Sequence, residues 1–194
     1  IEKIFDPHQG VIRNRVISSS KYSNIDYVDI TIFYSGLGYW LNKKPYLIPR
    51  DGKKLDTSSY ASLEDILLNL SKLSVLENIN SITIFLDVKY INFEESVENY
   101  QYPELSKKLC LLASSSPKET SIEIDDMEHS IFSYFLMKGL KGDAYGDDKI
   151  LEIGELAEYL YRKIPDYTKN LENGVLQNPE FIGSDLKRVL IDLR

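Results

Sequence analysis

Three short apolar runs constrain the fold of this chain more than any other feature of its sequence. They read "YVDITIFYS" at positions 27–35, "SITIFLD" at 81–87 and "KKLCLLAS" at 107–114. Continuous apolar stretches of this length are typical of strands that are covered on both faces of a parallel sheet. Stretches with helical spacing lie between and after them, and strands that alternate with helices predict a mainly parallel sheet between two layers of helices. We therefore predict an α/β fold, with residues 1–194 as a single domain.

The remaining elements are predicted from periodicity and from residues that begin or end helices. Ser62 and Asp65 have the spacing of a capping box, which predicts a helix over "SLEDILLNLSKL". Helices are also predicted from His8 to Tyr22, over "HSIFSYFLMKGL", and over "IGELAEYLYRKI", where Pro165 should end the helix. Short strands are predicted for "IEKIF", for "PYLIP" at a sheet edge, and for "RVLIDL" at the close of the chain.

Composition excludes several classes of partner. The net charge is −7, which argues against a nucleic-acid groove and against an anionic membrane surface. There is no apolar run long enough to span a membrane. One cysteine and two histidines form no metal-ligand motif, and no cofactor motif is present, so we expect neither metal nor cofactor. The single cysteine fits a reducing compartment, but a cysteine-poor exported protein would look the same, so the location stays open with the cytoplasm slightly favoured. The chain begins with Ile1 rather than methionine, and we interpret it as a piece of a longer product.

Two predicted strand ends are candidates for a functional site, because ligands in such folds bind beyond the carboxyl ends of strands. They are "SGLG" at 35–38 and "DVKYI" at 87–91. The two glycines, Gly36 and Gly38, suggest a tight turn that needs unusual backbone angles.

These strand ends resemble the two signatures of caspase-like and metacaspase-like cysteine peptidases. "ITIFYSGLGYW" is similar to the family's apolar strand followed by Ser-Gly-His-Gly, and "ITIFLDVKYI" is similar to its strand followed by Asp-x-Cys. The segment "HSIFSYFLMKGLKGDA" resembles the corresponding part of bacterial caspase-like proteins. The resemblance covers about Asp26 to Arg194 and implies a three-layer α/β sandwich. It also implies that the family's first strand and helix, which precede "IEKIF" in relatives, lie outside this sequence.

The sequence departs from the family at both catalytic positions. The family histidine falls on Leu37 and the family cysteine falls on Lys89. Cleavage by this family needs a thiolate nucleophile with an imidazole nearby, and leucine and lysine cannot supply them. We therefore predict a pseudopeptidase that binds a protein or peptide partner, or other domains of its own chain, as a scaffold. Two alternatives stay open: an enzyme with relocated or partner-supplied catalytic residues, and a purely structural spacer domain.

A remnant substrate pocket is the remaining expectation from the resemblance, and it would comprise Ser35, Gly36, Gly38, Asp87 and Tyr90. In metacaspase-like relatives the aspartate at the position of Asp87 helps to receive a basic substrate side chain.

Two further interpretations concern the chemistry of this pocket. Asp87 and Lys89 are two residues apart on a strand, so their side chains share a face, and we favour an ion pair between them that blocks the pocket. New chemistry centred on Lys89 with Ser35 or Tyr90 is a less favoured alternative, since an active lysine needs a desolvated site. Cys110 lies inside an apolar run and is interpreted as a core residue.

Overall fold

A six-stranded sheet lies at the centre of the computed structural model, which describes residues 2–23, 26–53, 56–92, 97, 100–124, 129–171 and 175–194. In spatial order its strands are β3 (Ala61–Ser62), β2 (Lys44–Leu47), β1 (Val28–Leu41), β4 (Ile79–Tyr90), β5 (Leu109–Ala113) and β9 (Glu180–Ile182). The three central strands β1, β4 and β5 are parallel, and the shorter outer strands pair antiparallel with their neighbours. The predicted mainly parallel sheet is confirmed.

Two small antiparallel sheets flank the central one in the described part of the chain. β6 (Glu123–Ile124) pairs with β7 (His129–Ser130), and β8 (Ile150–Glu152) pairs with β10 (Val189–Asp192). The closing run of the chain is therefore a strand, as predicted, but it lies outside the central sheet.

Helices cover the central sheet on both faces and complete three layers. They are α1 (Glu2–Phe5), α2 (Val11–Ser23), α3 (Leu63–Leu73), α4 (Ile131–Lys138) and α5 (Ile153–Thr168). One apolar cluster joins α3 to Ile82 and Ile84 of β4, while a second joins α4 and α5 to Phe85 of the same strand. Because successive side chains of a strand point to opposite faces, the two clusters lie on opposite sides of the sheet. No helix among the described residues is long and apolar enough to cross a membrane.

The prediction for α3 holds, whereas one helix end and one predicted strand need correction. The Ser62 hydroxyl accepts a hydrogen bond from the Asp65 amide at 3.2 Å, so the predicted cap begins α3. Helix α5 continues past Pro165 to Thr168, because a proline removes one helical hydrogen bond without preventing a final turn. Glu2–Phe5 of the run "IEKIF" form the short helix α1 and not a strand, since so few residues are not enough for periodicity to separate the two.

Strand β1 differs most from its prediction. It continues through "SGLG" to Leu41, and the chain reverses at Asn42 and Lys43, whose φ angles are +51° and +64°. A two-residue hairpin turn favours positive φ at both positions, so the turn lies here and not at the glycines. One face of β1 is also open to solvent, with 53% of Phe33 exposed, whereas the apolar pattern predicted cover on both faces.

Candidate functional site

Leu37 and Lys89 are direct neighbours across the pair of central strands. The parallel register of β1 and β4 places Leu37 opposite Lys89, two steps beyond the pair formed by Ser35 and Asp87. Neighbouring strands lie about 4.8 Å apart, so the two backbones are as close as a sheet allows. Leu37 is 43% exposed and the Lys89 side chain is 45% exposed. The two positions that resemble the catalytic dyad therefore lie side by side, on strands and not on the loops that follow them.

Asp87 is buried and is held by three serine hydroxyls. Only 2% of the residue is exposed. The Ser121 hydroxyl donates to Oδ1 at 2.6 Å, the Ser133 hydroxyl donates to Oδ2 at 2.5 Å, and the Ser130 hydroxyl also donates to Oδ2. A buried carboxylate needs such donors, since burial without partners is costly.

The same contacts tie β4 to the start of α4. Ser130 caps this helix, because its hydroxyl accepts a hydrogen bond from the Ser133 amide at 2.9 Å. The negative charge of Asp87 thus lies at the positive end of the helix dipole, where anions are stabilised. With its oxygens occupied and out of contact with solvent, Asp87 is a structural carboxylate in this arrangement.

The favoured ion pair between Asp87 and Lys89 is wrong. Lys89 Nζ instead pairs with Glu123 Oε2 at 3.2 Å, and both side chains are largely in solvent. The three serines already satisfy the Asp87 carboxylate, so Lys89 pairs with the Glu123 carboxylate on β6 instead. An exposed ion pair of this kind contributes at most about 1 kcal/mol. Lys89 also lacks the desolvated surroundings that a lysine nucleophile or base needs.

Tyr90 does not share a pocket with Ser35 and Asp87. Its ring packs 5.1 Å from the ring of Trp40, and the residue belongs to the apolar cluster on the other side of the sheet. Strand alternation makes this unavoidable, because Tyr90 is three positions from Asp87. Burial raises the pKa of the Tyr90 hydroxyl, which keeps the phenol neutral. The alternative of Lys89 chemistry assisted by Tyr90 therefore has no geometric basis here.

Gly36 and Gly38 lie within β1, and neither has a positive φ angle. The prediction of a tight turn at these glycines is therefore wrong. Packing explains instead why glycine occurs at both positions. A Cβ atom at Gly38 would lie 2.5 Å from Val88 Cγ1 and 2.6 Å from the Tyr90 ring. At Gly36 the nearest atom would be the Tyr34 hydroxyl oxygen at 3.0 Å. The glycines make room for side chains on the face opposite Asp87.

A cavity of about 800 Å³ opens on the face that carries Ser35 and Asp87, between β1 and α4. Its lining is mostly apolar and includes Phe33, Phe85 and Leu136. The polar lining comes from Thr31, Ser35, Glu123, His129, Ser130 and Ser133. Of the predicted pocket residues, only Ser35 contributes to this lining.

The sequence interpretation missed the serines around Asp87 and the partner of Lys89. Ser130 and Ser133 have the spacing of a cap at the start of a predicted helix, so a capping signal was available for them. Ser121 and Glu123 carried no such local signal, because they reach the site from a segment more than 30 residues after β4.

The described thiol and acidic groups give no alternative nucleophile or metal centre. Cys110 is fully buried within β5, as predicted, and burial raises the pKa of its thiol despite the nearby Arg188 guanidinium. A buried, protonated thiol reacts slowly. Among the described residues, no group of three or more His, Cys, Asp or Glu side chains is placed to hold a metal ion.

Comparison with known proteins identifies the fold. The chain aligns over 93% of its length with caspase-1 from Spodoptera frugiperda and covers 69% of that chain, at 15% identity and a TM-score of 0.58. It aligns equally far with protein GSU0716 from Geobacter sulfurreducens, covering 77% of that chain at 11% identity and a TM-score of 0.56. No protein-family model and no curated protein matches the sequence. Identities this low establish likeness of fold alone, and the chain therefore has a caspase-like α/β fold.

Proposed function

We propose that this caspase-like domain is a pseudopeptidase that binds other proteins or peptides instead of cleaving them. The observation that carries the proposal is the register of Leu37 and Lys89, which lie side by side at the two positions where the resemblance expects histidine and cysteine. A leucine has no group that can accept a proton, and an exposed, ion-paired ammonium is not a nucleophile.

The surroundings of this pair support a loss of cleavage. Asp87, which would receive a basic substrate side chain in metacaspase-like relatives, is enclosed by three serines and has little contact with solvent. The cavity beside it retains apolar walls, and Phe33 and Leu37 expose apolar surface on the same face. Exposed apolar surface next to a cavity is typical of an interaction site and would be a liability in a domain that serves only as a spacer.

A peptidase assay tests the proposal directly. Fluorogenic peptides with arginine, lysine or aspartate at the cleavage position are incubated with the protein, with and without calcium, and we expect no turnover above a buffer blank. Lys89→Ala and Cys110→Ser are the matched variants. Turnover that disappears in Lys89→Ala would contradict the proposal and favour an enzyme with relocated chemistry. Turnover that disappears in Cys110→Ser would identify the buried thiol as the nucleophile.

An activity-directed thiol electrophile gives a second readout on the intact protein. We expect labelling to stay at the level of the Cys110→Ser variant under native conditions and to rise only after denaturation. Rapid native labelling of the wild-type protein would show a reactive thiol and would contradict the proposal.

A further inference from the structure

A second groove, of about 440 Å³, lies between the first turns of α5 and the segment that follows β9. Its apolar surface comes from Ala157 and Tyr161 of α5, from Phe181 of β9 and from Leu186. β4 and β5 separate β9 from β1 in the sheet, and the groove shares no lining residue with the cavity between β1 and α4. Its volume is within the range of about 300–1,000 Å³ in which proteins bind small ligands.

Backbone hydrogen bonds hold the two walls of this groove together. The Gly154 amide donates to the Leu186 carbonyl at 2.9 Å, and the Ile153 amide donates to the Arg188 carbonyl at 2.8 Å. The Arg188 guanidinium donates to the Ile82 carbonyl at 2.8 Å, which anchors the second wall to β4. A Cβ atom at Gly154 would lie 2.8 Å from the Leu186 carbonyl oxygen, so glycine permits the close approach. The groove is therefore preformed, which lowers the entropic cost of binding.

Tyr161 presents a fixed aromatic surface to the groove. Its hydroxyl accepts a hydrogen bond from the Phe181 amide at 2.8 Å, which holds the side chain against β9. Tyr161 is nevertheless 43% exposed, and Leu186 is 53% exposed. An exposed aromatic ring with restricted motion can stack with a guanidinium group and attract its charge.

The polar lining of the groove is mainly acidic. Glu152, Glu155 and Glu158 lie at intervals of three residues, and Lys187 is the one basic residue in the described lining. Glu155 Oε2 accepts a hydrogen bond from the Glu152 amide at 2.9 Å. Glu158 is exposed and has no hydrogen bond or ion pair with any described residue.

The arrangement of these carboxylates favours an organic cation over a metal ion. No group of three acidic side chains in the described part of the chain is placed to hold a metal. Glu158 and Tyr161 are three residues apart on α5, so their side chains are neighbours on the helix surface. The groove thus combines a free carboxylate, an aromatic ring and an apolar floor.

We propose that this groove binds an arginine side chain of another polypeptide, with its aliphatic stem on the apolar floor and its guanidinium between Tyr161 and Glu158. A guanidinium is planar and weakly hydrated, so it can stack on a ring and pair with a carboxylate at once, whereas a lysine ammonium is a strongly hydrated point charge. The three carboxylates of the lining and the net charge of −7 both favour a basic partner. The proposal names the class of partner for the binding role proposed above and rests on that role.

The test is a titration with a defined probe. The probe is a seven-residue peptide of alanine and glycine with one central arginine and blocked ends. Amide chemical shifts of the nitrogen-15-labelled protein are followed, and we expect the changes to concentrate at residues 152–161 and 181–187. The same peptide with citrulline in place of arginine keeps the planar shape and loses the charge, and we expect it to bind at least fivefold more weakly.

Two pairs of protein variants localise the effect. Glu158→Gln removes the free carboxylate with little change of shape, and we expect about threefold weaker binding of the probe. Glu77→Gln, at an exposed position outside the groove, makes the same change of net charge and should bind like the wild-type protein. Tyr161→Leu and Tyr161→Phe both lose the hydroxyl, but only phenylalanine keeps the ring, so we expect the leucine variant to bind about threefold more weakly than the phenylalanine variant. Equal affinities within either pair of folded variants, judged by their amide spectra, would overturn the proposal.

Other results also contradict it. Equal binding of the citrulline peptide would show that the charge is not recognised. Shift changes confined to the cavity between β1 and α4 would place the basic side chain elsewhere. Self-association of the free protein that the arginine peptide reverses, detected by sedimentation, would make a second copy the occupant. Absence of shift changes with no peptidase turnover would reject the arginine groove alone, whereas turnover of the fluorogenic peptides would reject the pseudopeptidase proposal whatever the titration shows.

Discussion

Leu37 and Lys89 face each other in register on two neighbouring parallel strands, with both side chains on the same face of the sheet. Both are reachable from solvent, and the ion pair of Lys89 with Glu123 is the interaction that a change at this position would remove. The arrangement makes the site suitable for replacement of both residues, because neither contributes to the buried core.

Restoration of the family's residues tests whether the geometry supports a reactive thiol. In Leu37→His with Lys89→Cys, we expect the imidazole to lower the pKa of the introduced thiol, because a nearby imidazolium favours the thiolate. A fall of about one unit would give about threefold faster alkylation at pH 7 than Lys89→Cys alone, after allowing for the lower nucleophilicity of the more acidic thiolate. Iodoacetamide kinetics measure this rate, and the buried Cys110 should stay slow in both proteins. Equal rates would show that the side chains do not meet.

Removal of the Asp87 carboxylate should destabilise the protein strongly. In Asp87→Ala, three serine hydroxyls lose their acceptor in a buried site, and we expect the free energy of unfolding to fall by about 3 kcal/mol or more. Asp29→Ala is the matched control, since Asp29 also accepts from two side chains but lies at the surface, and its loss should cost about 1 kcal/mol. Urea denaturation measures both values. Similar costs for the two variants would contradict the structural role of Asp87.

A methyl group at Gly38 should be poorly tolerated. The added Cβ would overlap Val88 and Tyr90, so we expect Gly38→Ala to reduce the free energy of unfolding by about 2–3 kcal/mol. Gly146→Ala is the control, because its Cβ would meet the far end of the Glu155 side chain at 3.1 Å, which can move. Thermal unfolding distinguishes the two variants. A neutral effect at Gly38 would mean that the close packing of β1 and β4 at this point is not needed.

The charge of Glu180 should reduce stability at neutral pH. Burial raises the pKa of this carboxyl above its ordinary 4.5, and Oε2 has no hydrogen-bond partner in the described structure. Because the charged form is disfavoured in the native state, the penalty is present above the folded-state pKa and vanishes below pH 4.5. We expect Glu180→Gln to be more stable than the wild-type protein at pH 7, and equally stable near pH 4. Melting temperatures across this range measure the difference, with the exposed Glu158→Gln as a control that should show no gain.

Sequence patterns predicted the features that depend on local chemistry. The apolar stripe and the Ser62 cap defined α3, and three apolar runs defined β1, β4 and β5. The resemblance predicted Leu37 and Lys89 on adjacent loops at the ends of two neighbouring parallel strands; the strands are neighbours, but both residues lie within them.

Features that depend on distant residues were beyond local patterns. The three serines that hold Asp87 lie 34, 43 and 46 positions after it, so the sequence around Asp87 favoured its near neighbour Lys89 instead. The glycines of "SGLG" suggested a turn, but the side chains that need the space at Gly38 come from another strand, β4.

The order in which these strands leave a ribosome has a consequence for synthesis of the protein. The bond between Ser81 and Asp29 joins residues 52 positions apart, and the bond from Arg188 to the Ile82 carbonyl spans 106 positions. At a translation rate of about 5–20 residues per second, about 3–10 s pass after the synthesis of β1 before β4 can pair with it. During that interval the edge of β1 that β4 covers is exposed in the nascent chain, so the yield of folded protein should depend on translation speed and on chaperones that shield this strand.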